Sequence, residues 1–359
     1  MDAASPTSTA AADSTAAADV RALVERTLYS FLRERRRALP EAEDLLAELE
    51  RVARSGGKRL RPAFCIWGYR AGGGTDDDAI ARAAASLELL HTFAIIHDDV
   101  MDRSPLRRGS PATYRQLADD SGRLRRGAER FGVSAAILTG DLAMALAGEL
   151  WWTAGFDGPA LMDGARIYHA MRAEVIGGQY LDLLAAARGD ATPEETRRIS
   201  VLKSGRYTVE RPLLIGAALA AAPSRVRDAL AAFGAPLGEA FQLRDDIIGA
   251  FGDPAMTGKD ADGDLREGKQ TLLVALAKKA ATPEQRATLD ELLGSEDLTP
   301  DGAGRLRAVL QDTGALDDVR DTIASLLEEA HSALDGGAIP SVPAAALRAL
   351  ADDVAPVGA

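Results

Sequence analysis

One cysteine in 359 residues excludes an internal disulfide. Cys65 therefore points to a reducing cytoplasm, or simply to a small apolar residue in a core. Aromatic residues make up only 5% of the chain, and runs of alternating β-branched residues are absent. What remains is rich in alanine and leucine, which favours helices over sheet. Basic residues are the minority, 42 Lys and Arg against 54 Asp and Glu, for a net charge of −12. That balance argues against nucleic acid as a partner. It fits an acidic surface around a local basic pocket for a small phosphorylated ligand. The apolar run Leu142 to Trp152 is far short of the roughly 20 residues a spanning helix needs, and Asp141 and Glu149 interrupt it. It reads as a core helix, with no integral membrane segment expected. Residues 1–18 are mostly Ala, Ser, Thr and Asp. They lack the charged start and apolar core of a signal peptide and are expected to form a disordered leader. From 19 to 359 no boundary divides the chain, so a single all-helical domain is expected.

The most informative stretch is Glu88-Leu-Leu-His91-Thr-Phe93-Ala94-Ile-Ile-His97-Asp98-Asp99-Val-Met-Asp102. It is an apolar helical run that ends in three aspartates. Asp98 and Asp102, four apart, share a helix face about 6 Å from each other; Asp99 is turned by about 100°. Buried carboxylates this close repel unless a cation lies between them. Mg²⁺ suits the gap, because it takes oxygen ligands, keeps several waters and bridges carboxylates to phosphate. A lone DDxxD also suits a solvated acidic helix end. A second cluster, Phe241-Gln242-Leu-Arg244-Asp245-Asp246-Ile-Ile-Gly249, closes another apolar run, and two such clusters can share metal ions. Cations flank both: Gly56-Gly57-Lys58-Arg59-Leu60-Arg61-Pro62 and Arg107-Arg108-Gly109 around the first, Lys203, Lys259 and Lys269 around the second. The set suits two polyphosphates, one held through metal and one directly by Arg and Lys.

With these motifs in this order, joined by Gly140-Asp141, the Gly177 to Leu183 run GGQYLDL, and Lys203-Ser204, the chain resembles the trans-isoprenyl (polyprenyl) diphosphate synthases. The resemblance covers roughly Val20 to Leu350. It implies an all-α fold, a single large helical bundle of the type I isoprenoid synthase kind around a central apolar cavity. It implies a prenyltransferase that joins isopentenyl diphosphate to an allylic diphosphate by ionisation, condensation and elimination. Three Mg²⁺ ions are implied, with Asp98, Asp102 and Asp245 as ligands and Asp99 and Asp246 nearby. Arg107, Lys203, Ser204, Gln242, Lys259 and Lys269 then serve the allylic diphosphate. Lys58, Arg61, His91 and Arg108 serve isopentenyl diphosphate, with Arg59 beside them. Gln179 and Asp182 either orient Lys203 or touch the diphosphate. A homodimer is implied too.

Product length is read below the first cluster. Phe93 lies five positions before Asp98, about 7.5 Å deeper on a helix, and Ala94 lies four before. One aromatic at the fifth position, a small residue at the fourth and no insertion in DDVMD resemble the geranylgeranyl (C20) pattern, with farnesyl or longer products as alternatives. Gly249 departs from the family, which has a third aspartate there. A class I terpene cyclase also uses DDxxD, but its second metal motif begins with asparagine, and this chain has none. A non-catalytic subunit would be expected to lose a cluster or the isopentenyl pocket.

The expected helices include 19–38, 77–102, 131–153, 158–187, one long element over 193–221, and 224–250. A basic loop is expected at 121–127 and a flap at 252–267.

Overall fold

The computed structural model describes residues 7–120, 127–252, 262–295 and 297–354. They are helical apart from loops and a two-residue-strand hairpin, as composition led us to expect. By their own contacts they fall into two compact units, Met1–Asp163 with Gly216–Ala222, and Gly164–Ile215 with Pro223–Ala359. Two of the three divisions, after Asp163 and after Ile215, fall inside helices, and the third falls in the short connection before Ser224.

The first unit contains α1 (Thr7–Ala38), α2 (Glu43–Arg54), α3 (Leu60–Ala71), α4 (Asp77–Met101), strands β1 (Leu106–Arg107) and β2 (Ser110–Pro111), α5 (Thr113–Asp120) and α6 (Ala128–Trp152). The first helix begins at Thr7 rather than at 19; the alanines of the expected leader carry it, since alanine has the highest helix propensity. Helix α4 is the centre of this unit. Asp76 caps it by accepting from the Ala79 amide at 3.0 Å, a bond that satisfies an orphan N–H of the first turn. Its small residues Ala79, Ala81, Ala83, Ala84 and Ala85 are buried, which lets α3 and α6 pack close. Helices α4 and α6 are both long and apolar enough to cross a membrane by length and composition alone, with 78% and 44% of their apolar windows buried. The sequence reading stopped α6's apolar run at Leu142, whereas the helix continues it back through Ala135 and Ala136. Trp151 is fully buried at its end, while Trp152 is exposed. Cys65 is fully buried in α3, and burial pushes its thiol well up, so it is an inert packing residue.

The second unit takes most of α7 (Gly158–Arg188), then α8 (Pro193–Ser200), a π-helix (Val201–Glu210), the start of α9 (Arg211–Leu219), α10 (Ser224–Phe251), α11 (Gly263–Arg266), α12 (Leu272–Ala280), α13 (Pro283–Leu292), α14 (Pro300–Asp312), α15 (Ala315–Asp335) and α16 (Ser341–Val354). The single helix expected over 193–221 is thus three segments with the π-helix in the middle. Helix α8 starts with a capping box, Thr192 and Glu195 exchanging side-chain and backbone bonds. Helix α10 packs on α15 and on the π-helix. The inward residues Leu243, Ile247, Leu265, Leu273 and Val319 form one apolar core. That core pins the end of α10, where the second acidic cluster lies.

Candidate active site

Two adjacent arginines stand where a strand meets a two-residue turn, Arg107 ending the strand and Arg108 opening the turn. Strands β1 and β2 pair Arg107 with Ser110, and the intervening Arg108 and Gly109 both have positive φ, 52° and 74°. Such turns match the twist of a hairpin. Arg107 turns back to the end of α4, where its Nε donates to Asp99 Oδ1 at 2.7 Å and its Nη2 to Asp98 Oδ2 at 3.3 Å. Arg108 instead donates from Nη1 to the Gly56 carbonyl. A Cβ built on Gly57 would lie 3.0 Å from the Arg108 Nη2, so the glycine keeps that approach open.

The first cluster sits at a helix C-terminus, where the helix dipole disfavours anions. The Asp102 amide donates to the Asp98 carbonyl at 2.8 Å, and the Ser104 amide to that of Asp99 at 3.1 Å. These bonds stop the helix with all three carboxylates at its end. The Asp99 side chain is 3% exposed and that of Asp98 26%; Asp102 is half-buried. Burial alone would lower the Arg107 guanidinium, but Asp99 and Asp98 outweigh it and hold the charge on more firmly than usual.

Behind the cluster stands a cationic group. Burial and then the charges of Arg61, Arg108, Arg107 and Arg59 push His91 well below its usual range. His91 is therefore a neutral donor near pH 7. Burial lowers Arg108 as well; Glu88 opposes this, and Arg59, Arg107 and Arg61 add to it. Four cations crowded together favour an anion among them. Lys58 is exposed and Arg61 half-buried. Arg59, beside them in the sequence, is engaged elsewhere. It has φ 52° and turns inward, bonding the Glu88 carboxylate and the Ala53 carbonyl, each at 2.5 Å, and Tyr29 Oη at 3.0 Å. It folds the glycine-rich segment rather than facing outward. Sequence position alone could not reveal this, because nothing in the motif identifies Glu88 as its partner.

Phe93 is buried, and its ring meets His97 edge-on at 4.7 Å; Ala94 is half-buried. The His97 Nε2 donates to the Ile137 carbonyl at 3.0 Å. A Cβ on Gly140 would overlap that imidazole, which gives the Gly140-Asp141 pair a steric reason.

In the second unit, Lys203 Nζ donates to Asp182 Oδ2 at 2.7 Å. Asp182 thus orients the lysine. A Cβ on Gly178 would lie 2.5 Å from the Lys203 amide nitrogen and 2.8 Å from its Cα, so α7 lies directly against the Lys203 backbone. Lys203 and Ser204 lie early in the π-helix, a form common at functional sites because it alters the direction of backbone groups. On α10, Gln242 Nε2 donates to Asp246 Oδ1 at 2.7 Å. Asp246 is buried and Asp245 half-buried. Burial pushes Asp246 up to about 8, aided by the carboxylates of Asp264 and Asp245 and opposed by Gln242 and Lys269. Lys269 Nζ pairs with Asp264 Oδ1 at 2.7 Å and with Glu267 at 3.2 Å. Asp264 was not singled out from the sequence; the only signal for it was an acidic residue soon after a cluster that lacks one. Lys259, and the expected flap over 253–261, lie outside the described residues, as does most of the basic loop, 121–126. Residues 262–267 of that flap include the short α11.

Among the described residues no three acidic, His or Cys side chains converge as a ready-made metal cage. The donor set nevertheless fits Mg²⁺, which usually takes one or two carboxylates and completes its shell with water and phosphate. In the first unit, Asp98 and Asp102 are half-buried carboxylates on one helix end; in the second, Asp245 is half-buried on α10.

The sequence model of the polyprenyl synthetase family matches residues 43–309. A geranylfarnesyl diphosphate synthase of Aeropyrum pernix is 34% identical over 300 residues, 82% of this chain and 87% of its own length. A geranylgeranyl diphosphate synthase of Methanosarcina mazei is 30% identical over 82% of this chain and 84% of its own. The crystal structure of a geranylgeranyl pyrophosphate synthase from Corynebacterium glutamicum, complexed with isoprenyl diphosphate and magnesium, superposes with a TM-score of 0.91. It is 35% identical and covers 94% of this chain and 98% of its own.

Proposed function

The chain belongs to the polyprenyl synthetase family, an all-α family of prenyltransferases, and we propose that it joins isopentenyl diphosphate to an allylic diphosphate to make geranylgeranyl diphosphate. The observation that carries this reading is the division of Arg107 and Arg108. One arginine serves an aspartate cluster; its neighbour serves a cationic pocket with no carboxylate of that cluster on it. A reaction between one diphosphate that must leave and another that must stay needs both environments.

Asp98, Asp102 and Asp245 would hold Mg²⁺, three ions in all, with Asp99 and Asp246 beside them. Bound there, Mg²⁺ neutralises the charge that develops as the allylic C–O bond ionises. Arg107, Lys203, Lys259 and Lys269 hold the oxygens of the same diphosphate. Lys58, Arg61, His91 and Arg108 hold isopentenyl diphosphate, whose homoallylic bond does not ionise. Neutral His91 donates to an oxygen without adding a full charge. The carbonyl of Lys203, Ser204 and Gln242 present dipoles to the allylic cation, and none of them is a strong nucleophile. Among the described residues no side chain is placed as general base, and the departing diphosphate takes the proton. Buried Phe93 would form the floor of the product cavity, and with a small Ala94 it favours a C20 product. The exposed apolar residues Phe131, Leu138 and Trp152 on α6 support a homodimer, and the single buried thiol supports a cytoplasmic setting.

The test is a product assay. Purified protein is incubated with Mg²⁺, labelled isopentenyl diphosphate and each allylic primer in turn, and the dephosphorylated alcohols are sized. A C20 alcohol is expected. A C15 or C25 alcohol keeps the chemistry but contradicts the floor; absence of any elongation contradicts the reaction.

A further inference from the structure

Arg59 is the cation of the glycine-rich segment that the proposed reaction leaves without a task, and it is buried. Its side chain is 2% exposed and that of Glu88 6%. Burying a charge is costly unless a partner of opposite sign is held at hydrogen-bond distance. Arg59 Nη1 donates to Glu88 Oε1, and its Nη2 donates to the Ala53 carbonyl and to Tyr29 Oη. Glu25 of α1 adds a contact at 3.2 Å, but it also holds Arg21. Glu88 is on α4, three positions before His91, so the two side chains share a helix face one turn apart. The Gly56 carbonyl accepts from Arg59 Nη1, at 3.3 Å, and also from Arg108 Nη1. Glu88, Arg59, Gly56 and Arg108 thus form one chain of contacts that ends in the cationic pocket. Glu88 already acts on Arg108 along it, since its charge favours the charged form of that guanidinium against burial. The hydrogen bonds of Arg108 itself go to neutral groups, the Gly56 carbonyl and the Ser55 hydroxyl.

We propose that Arg59 is a positioning residue for the isopentenyl diphosphate pocket: it occupies Glu88, so that this buried carboxylate neither draws Arg108 off the diphosphate nor cancels a charge of the pocket. The reason is charge balance. With His91 neutral, Lys58, Arg61 and Arg108 supply the pocket's positive charge. An uncompensated carboxylate one turn from His91 would offset part of it and compete with the diphosphate for Arg108. With Arg59 in place, Glu88 is neutralised at hydrogen-bond distance, and Arg108 keeps its charge for an anion. Arg59 does not touch the diphosphate and acts through Glu88. This inference rests on the prenyltransferase reading above.

The test is initial-rate kinetics with each substrate varied in turn, on wild type, Arg59→Gln, Arg59→Lys and the double variant Arg59→Gln/Glu88→Gln. Arg59→Gln leaves Glu88 buried without its cation. It should raise the KM for isopentenyl diphosphate about tenfold, the scale of one charge-assisted hydrogen bond, and leave the KM for the allylic diphosphate near that of wild type. Arg59→Lys keeps the charge and loses the planar fork, so it should lower Tm yet hold the KM for isopentenyl diphosphate close to wild type. The double variant removes both charges. It should bring that KM back toward wild type, because replacing a buried pair as a whole costs far less than breaking it. Thermal unfolding checks that each variant is folded; should Arg59→Gln not fold, Arg59→Lys and the double variant decide in the same way. Arg59→Gln with the KM of wild type would overturn the proposal. So would a double variant or an Arg59→Lys with the KM for isopentenyl diphosphate raised about tenfold, since the shape of the arginine and not its charge would then be what matters. Wild type that makes no condensation product from any primer would instead count against the prenyltransferase reading.

Discussion

The two acidic clusters use the same residue type in opposite electrostatic states. In the first, Asp99 is buried but paired with Arg107, and Asp98 shares that arginine. In the second, Asp246 is buried, accepts from the Gln242 amide and is pushed up to about 8. Burial penalises a lone carboxylate heavily, and a guanidinium at hydrogen-bond distance removes most of that penalty. In the first cluster the buried carboxylate is ion-paired with a guanidinium; in the second the Asp246 carboxyl is pushed toward its protonated form. The lesson is that a DDxxD-like pattern specifies where carboxylates lie but not their charge, which depends on residues brought in from elsewhere in the chain.

The largest effect is expected at the first cluster. Asp98→Ala removes a proposed metal ligand together with an Arg107 partner, and kcat should fall by about 10³-fold, in line with losing a main electrostatic contributor to a transition state. Steady-state rates at saturating Mg²⁺ check this. A fall of less than tenfold would mean that the charged cluster is not the one on which ionisation depends.

A smaller effect is expected where backbone packing supports the second unit's lysine. Gly178→Ala places a methyl against the Lys203 amide and Cα, which must shift the π-helix or α7. The KM for the allylic diphosphate should rise about tenfold, at a cost of about 1–3 kcal/mol for overpacking. The KM for isopentenyl diphosphate should stay near that of wild type.

The smallest effect concerns stability, and its sign distinguishes the clusters. The folded-state value of Asp246, about 8, lies above its unfolded value of about 3.9. Below about pH 4 both states are protonated and the group costs nothing; as pH rises from there toward 8 the unfolded state loses its proton first, and stability falls. Asp246→Asn removes this penalty and keeps an oxygen for Gln242. Without metal it should raise Tm at pH 8 by about 2–4 °C and leave Tm at pH 4 unchanged. A thermal scan at both pH values checks it. The same substitution should weaken Mg²⁺-pyrophosphate binding, since a site built to receive positive charge is unstable without it.

Much of this could be read directly from the sequence. The helical character followed from composition, and the motif residues that chemistry requires were marked by charge in apolar surroundings. Asp98, Arg107, Lys203 and Gln242 lie in local arrangements consistent with the roles expected of them. What could not be read depended on partners distant in sequence. Arg59 sits among the pocket's cations, yet it is taken by Glu88, 29 positions away. The π-helix was hidden as well, since the ten residues Val201–Glu210 are too few to show a period of their own within a longer helical stretch. The two-unit division left little trace because two of its three crossings pass through α7 and α9, and the third through a connection of only a few residues before α10.

The most direct test of the account compares Arg107→Ala with Arg108→Ala in initial-rate kinetics with each substrate varied in turn. Each variant loses charge-assisted hydrogen bonds worth about 1.5–3 kcal/mol, or roughly 10–100-fold. The account predicts that Arg108→Ala raises the KM for isopentenyl diphosphate alone, and that Arg107→Ala lowers kcat and raises the KM for the allylic diphosphate. If both variants raised the same KM by the same factor, the two arginines would serve one anion, and the division of the site into a metal-bound and a metal-free diphosphate would be wrong.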